Sequence, residues 1–159
     1  MMIPLKINDT HLCKIFTPDL AIEGWSDAQI DKYSKDHSMY PSSVQLTSET
    51  YSRDAERTAD YELENLTIVN RKAKPEFTWD LIKAEYVKNL FEFLQYDYDF
   101  KDANGIVNPR DSQDINITYY DFVGMRVITA YMGQTVEGTL VEHEGVLYWE
   151  NFRIAFPER

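Results

Sequence analysis

The chain has 159 residues, 43% hydrophobic and 14% aromatic, and carries 27 acidic against 16 basic residues for a formal net charge of −11. That length suits one domain, and the apolar share excludes wholesale disorder, which needs low hydrophobicity together with high charge. The acidic excess, with no Lys/Arg cluster to neutralise phosphates, excludes a sequence-specific DNA or RNA binder.

The first residues, MMIPLKINDTHLCKIF, have neither the basic start nor the apolar run of a signal peptide, and nowhere do about 18 apolar residues follow one another. A soluble chain made in the cytoplasm is expected. Within it, MIPLKIN at 2–8 reads as a short edge-type strand, because Pro4 is tolerated only near a strand start or at an edge. The single cysteine, Cys13, excludes an intrachain disulfide. If HLC at 11–13 is extended, His11 and Cys13 share a face; a Cys/His nucleophile pair there carries much less weight than a buried thiol beside a surface histidine.

A polar stretch follows at about 24–58, interrupted by Pro41 and read as an inserted arm. It holds a short helix in SDAQIDKYSKD with Ser26 or Asp27 as N-cap. Trp25, Met39 and Tyr40 require part of it to pack on something. Order returns at ADYELENLTIVNRKAKPEFTWD, where the apolar phase slips near Asn65 and the alternation resumes at Phe77 and Trp79. The expectation is two strands with a bulge near Asn65 and a turn near Lys74 and Pro75.

Val87, Leu90, Phe91 and Leu94 then fall at i, i+3, i+4 and i+7, one face of a helix with Asp80 as candidate N-cap. The run DYDFKDANG offers Asn104–Gly105 as a hairpin turn and Asp97, Asp99, Asp102 and Asn104 as oxygen ligands. Calcium-loop spacing fails there, because the first ligand position falls on Phe100, so a solvated acidic tip is the preferred reading. Residues 97–114 are read as a second insertion.

Four strands close the chain: DINITYY, GMRVITAYM, TVEGTLVE and GVLYWENFRIAF. The second has apolar residues on both parities, Met125, Val127 and Tyr131 against Ile128, Ala130 and Met132, so both its faces are expected to leave water. In the last, Val146, Tyr148, Phe152, Ile154 and Phe156 share one parity, and Trp149 lies on the other. The predicted fold is α+β and mainly antiparallel β, sandwich-like or barrel-like, a single domain with one packed helix and a long polar arm. One helix cannot cover so much sheet. Candidate subunit-interface residues are therefore Trp25, Tyr40, Met125, Val127, Ile128, Tyr131 and Trp149. No hydrolytic, redox or phosphate-loop motif is present, and no catalytic residue, cofactor or metal is expected.

An ordered series of stretches, LKIN at 5–8, PSS at 41–43, SRDAER at 52–57, NRKAKPEFTW at 70–79, ITYYDFVGMR at 117–126 and the ending YWENFRIAFPER, resembles a family of short structural proteins. Its members are encoded in tail modules of phages and prophages of Gram-positive bacteria. The resemblance covers most of the chain; about residues 13–40 and 97–114 depart from it as insertions. It implies a tail-tube-like or distal-tail-like β-fold, non-enzymatic, with copies in rings and contacts to other tail or baseplate proteins in the virion. An acidic wall would let DNA slide through a lumen without binding. Two other readings stand beside it: a tail-tip carbohydrate- or host-binding module that stacks sugars on Trp149 and Trp25, and, with less weight, a metal-dependent enzyme built on the acidic loop.

Overall fold

The computed structural model describes residues 3–52, 68–94, 114–133 and 135–159. Among these, the order of elements is β1 (Leu5–Ile7), β2 (Thr10–His11), α1 (Leu12–Phe16), α2 (Asp27–Asp36), β3 (Ser43–Ser52), β4 (Ile68–Lys83), α3 (Ala84–Phe93), β5 (Ile115–Asp121), β6 (Gly124–Ala130), β7 (Val136–His143) and β8 (Val146–Ala155). The strands form two antiparallel four-stranded sheets, β2-β1-β5-β6 and β3-β4-β8-β7. The fold is thus α+β and mainly antiparallel, as expected. The closing four strands do not lie in one sheet, however: each of the two hairpins belongs to a different sheet.

The inner faces of the two sheets share one core. Leu5, Ile7, Ile117, Tyr119 and Ile128 face it from the first sheet, and Phe77, Trp79, Ile82, Phe152 and Ile154 from the second. Phe77 and Tyr119 meet across it edge to face, with ring centroids 6.4 Å apart. The helices close its side. Phe16 of α1 stacks on Tyr86 of α3 at 5.6 Å and meets Trp79 at 6.3 Å, so α1, α3 and the second sheet are locked by aromatic contacts.

Several local expectations are revised. β1 is not an edge strand; it lies between β2 and β5, with Pro4 just outside it, where its missing N–H costs no ladder bond. His11 ends β2 and Cys13 already belongs to α1, so the two are not on one strand face. No turn occurs at Lys74 and Pro75: β4 runs straight through them. Pro75 needs no N–H there, because it meets the C-terminal segment through its carbonyl, which accepts from Phe156 N at 2.9 Å. α3 matches the periodic face, but Asp80 is still in β4 and the N-cap is Lys83.

The polar stretch is no free arm where it is described. Ser26 caps α2 in a capping box with Gln29, and β3 pairs with β4 from Ser43↔Thr78 to Ser52↔Ile68. Residues 53–58, the slip near Asn65, the acidic run at 97–105 and the rest of the second expected insertion up to 113 lie outside the described residues.

The parity of the last strand changes midway. Asn151 takes a left-handed φ of 54°, and Glu150 and Asn151 both face outward, so the inward-facing set passes from the buried Phe152 and Ile154 to the partly buried Trp149. On β7 a single residue, Gly138, stands opposite that irregularity, between the pairs Glu137↔Arg153 and Thr139↔Glu150.

Candidate functional site

The β5–β6 hairpin sorts its residues cleanly by parity. Ile115, Ile117, Tyr119, Ile128 and Ala130 face the core and are buried. Across the ladder, Tyr120 pairs with Met125 and Thr118 with Val127, and these point the other way. Nothing in the described chain covers them: Tyr120 is 59% exposed, Met125 56% and Val127 63%. The turn between the strands adds Phe122 at 75% and Val123 at 87%. Five large apolar side chains therefore stand exposed on one hairpin, and a contiguous exposed apolar patch of this kind marks a surface that meets something.

The turn is held in place by its first and last residues. Asp121 Oδ1 accepts from Phe122 N, and Gly124 closes the turn at a φ of 106°, a region open to glycine. Asp121 also faces inward, where its Oδ2 accepts from Tyr119 Oη at 2.8 Å and from Arg126 at 3.0 Å. Burial alone would raise the Asp121 carboxyl, but these hydrogen bonds and the Arg126 charge outweigh it and hold it below the usual carboxylate range. The Tyr119 hydroxyl is pushed well up, first by burial and then by its bond to Asp121. Arg126 continues to Glu158 at 3.1 and 3.2 Å, and Glu158 accepts from Ala73 N at 3.2 Å, so a partly buried polar chain ties the hairpin to the other sheet. The exposed face is thus carried on a rigid base.

One end of this face borders a cavity of about 190 Å³ lined by Lys6, His11, Asp27, Asp31, Tyr40 and Met125, among others. The Tyr40 hydroxyl donates to Asp31 at 2.7 Å, and burial followed by that carboxylate pushes its ionisation far up. Burial and then Lys6 lower His11 from its ordinary value. Cys13 is fully buried and its thiol is pushed up by burial, which makes it a core group and not an attacking thiolate. Among the described residues no three His, Cys, Asp or Glu side chains are placed to hold a metal ion.

A second apolar surface lies on the β7–β8 side. Val87 and Phe91 of α3, Val136, Glu137 and Gly138 of β7, and Trp149 and Phe152 of β8 line a groove of about 180 Å³. Beyond it Leu140 and Leu147 are 50% and 49% exposed on the face they share with Trp149. Residues 136–150 carry Glu137, Glu142, Glu144 and Glu150 and no lysine or arginine.

Of the residues proposed from the sequence, Met125 and Val127 lie together on the open face and Trp149 lines the groove. Of the other four, Tyr40 lines the cavity at one end of that face and three sit elsewhere. Ile128 is buried in the chain's own core. Tyr131 is half-buried under the Arg159 guanidinium, 4.9 Å from its ring centroid. Trp25 packs edge-on against Tyr33 at 5.6 Å, and Tyr40 is fixed by Asp31. Tyr120, Phe122 and Val123 were missed. Their signal was present in DFVG, where two apolar residues occupy a turn that normally takes polar ones.

The chain matches no protein-family model, and a search of curated proteins finds no relative. Among the described residues no helix is long and apolar enough to cross a membrane.

Proposed function

We propose that the chain is a structural component of a phage or phage-derived tail, non-enzymatic, assembling into rings or a tube through subunit contacts with copies of itself and with other tail proteins. The observation that carries this reading is the open face of the β5–β6 hairpin, where Tyr120, Phe122, Val123, Met125 and Val127 are each more than half exposed. A chain that works alone gains nothing from that surface, whereas a subunit buries it on assembly. The face sits on a fixed base, the Asp121–Arg126–Glu158 chain, as a preformed contact surface requires. The ordered motifs from LKIN to the terminal PER support the tail assignment, and the net charge of −11 suits a wall along which DNA passes without binding.

The test is electron microscopy of the purified chain at high concentration and of tail particles from a strain that encodes it. Rings or tubes, and the chain's presence in the particle, are expected. Absence of the chain from every tail particle overturns the tail assignment, and a chain that stays monomeric at millimolar concentration overturns the self-assembly.

A further inference from the structure

Resting on the assembly reading above, we infer that the contact between copies is head to tail: the Phe122–Val123 turn of one copy inserts into the groove between α3 and the β7–β8 hairpin of the next. Three observations carry this. The turn is a protruding apolar knob, 75% and 87% exposed at its two residues, and a knob needs a concave apolar partner. The chain offers one in the groove between α3 and the β7–β8 hairpin, where Val87, Phe91, Val136, Trp149 and Phe152 are the apolar lining and Glu137 the one charged residue. A surface that fits a recess elsewhere on the same molecule makes a heterologous contact, which repeats from copy to copy and closes into a ring when the rotation allows.

Charge selects the same pairing. The β7–β8 hairpin, 136–155, carries four glutamates and one arginine, Arg153, which pairs with Glu137 at 3.7 Å, so it keeps an acidic excess and two such hairpins set face to face repel. The β5–β6 hairpin, 115–130, carries only Asp121 and Arg126, which neutralise each other at 3.0 Å. An uncharged knob therefore meets the acid-rimmed groove without like-charge cost, while a groove-to-groove pairing does not. Knob-to-knob pairing escapes the repulsion but leaves the groove open.

The experiment uses the full chain with cysteines placed at the two surfaces, Val123→Cys and Glu137→Cys, and a short bismaleimide. Cys13 is fully buried and does not compete. A mixture of the two single variants should give a cross-linked heterodimer, a chain carrying both should give a ladder, and neither single variant alone should cross-link. Phe122→Asp, at an exposed position that leaves the core untouched, should weaken self-association roughly thirtyfold in sedimentation, as loss of a central apolar anchor does, with an unchanged melting temperature.

Cross-linking of Val123→Cys to itself overturns the head-to-tail contact in favour of a two-fold one. So does association that survives Phe122→Asp, an absence of cross-links at concentrations where the wild type associates, or a wild type that never associates. The outcomes separate from those of the tail reading. A chain found in tail particles that fails to link V123C to E137C keeps the tail reading and loses this contact; a laddering chain absent from every tail particle does the reverse.

Discussion

Gly138 lies directly over the indole of Trp149: a Cβ built on the glycine would stand 3.2 Å from Trp149 Cε3 and 3.6 Å from Phe152 Cδ2. The absent side chain is what lets β7 cross the irregularity at Asn151 while the indole turns inward. Gly138→Ala asks the ring to shift by a few tenths of an ångström, which its half-buried setting allows, so the change should be small. Gly138→Val cannot be accommodated that way and should cost about 1–3 kcal/mol, the usual range for overpacking. Urea unfolding followed by tryptophan fluorescence measures both; equal stabilities for the alanine and valine variants would disprove the close contact.

Arg126 joins Asp121 at 3.0 Å to Glu158 at 3.1 Å, so one guanidinium fastens the hairpin turn to the C-terminal segment. The segment itself bonds both sheets, Glu158 N to Ala73 O and Arg159 N to Thr129 O, each at 2.9 Å. Arg126→Ala leaves two carboxylates facing each other without a cation. A fully buried pair loses 3–5 kcal/mol when one partner is removed. The Arg126 side chain is 35% exposed, so solvent screens part of that and about 2 kcal/mol is expected. Glu158→Gln keeps the bond to Ala73 N and should cost less than Arg126→Ala; the reverse order in thermal unfolding would contradict the role given to Arg126.

The indole of Trp79, buried between Phe16 and Phe152, donates from Nε1 to the carbonyl of Met39 at 2.8 Å. This bond anchors the approach to β3 onto β4. Trp79→Phe keeps an aromatic ring but strands a buried carbonyl and leaves a void, so a loss of about 2–4 kcal/mol is predicted from the unmade bond and the missing volume together. Hydrogen exchange at the amides of 39–47 should accelerate more than in α3. A uniform increase across the chain would mean that the bond has no local anchoring role.

How much of this was legible in the sequence depended on whether the signal was local. α3 was readable because Val87, Leu90 and Leu94 repeat at helical spacing and all three are buried. α2 was readable from its cap. The strands β5 to β8 announced themselves by composition, but β6, expected to leave water on both faces, divides sharply within the described chain, with Ile128 inward and Met125 and Val127 outward and exposed. Non-local facts stayed hidden. Pro75 looked like a turn because the segment that uses its carbonyl, around Phe156, is 81 residues further on. Trp149 looked outward because one left-handed residue, Asn151, reverses the parity, and no local pattern marked it. The division of the strands between two sheets depends on which hairpin pairs with β1 and which with β4, and hydrophobic alternation is blind to that choice.

The Asp121 carboxyl makes the acid limb of the stability curve a test of the hairpin base. Its folded-state ionisation lies below the ordinary value of 3.8, since the bonds from Tyr119, Arg126 and Phe122 N outweigh the cost of burial. A carboxyl depressed on folding binds fewer protons in the native than in the unfolded state, so its contribution is complete above the unfolded value and disappears as pH falls through the folded one. Wild-type stability should thus decline from about pH 4 downward. Asp121→Asn removes this proton linkage: it should be less stable than the wild type at pH 7, with the difference shrinking on acidification and the acid slope shallower. The check is a series of urea curves for both proteins from neutral to acid pH. Parallel lines for the two would show that Asp121 titrates alike in the folded and unfolded chains, and that the turn bearing Phe122 and Val123 is not fixed by its charge.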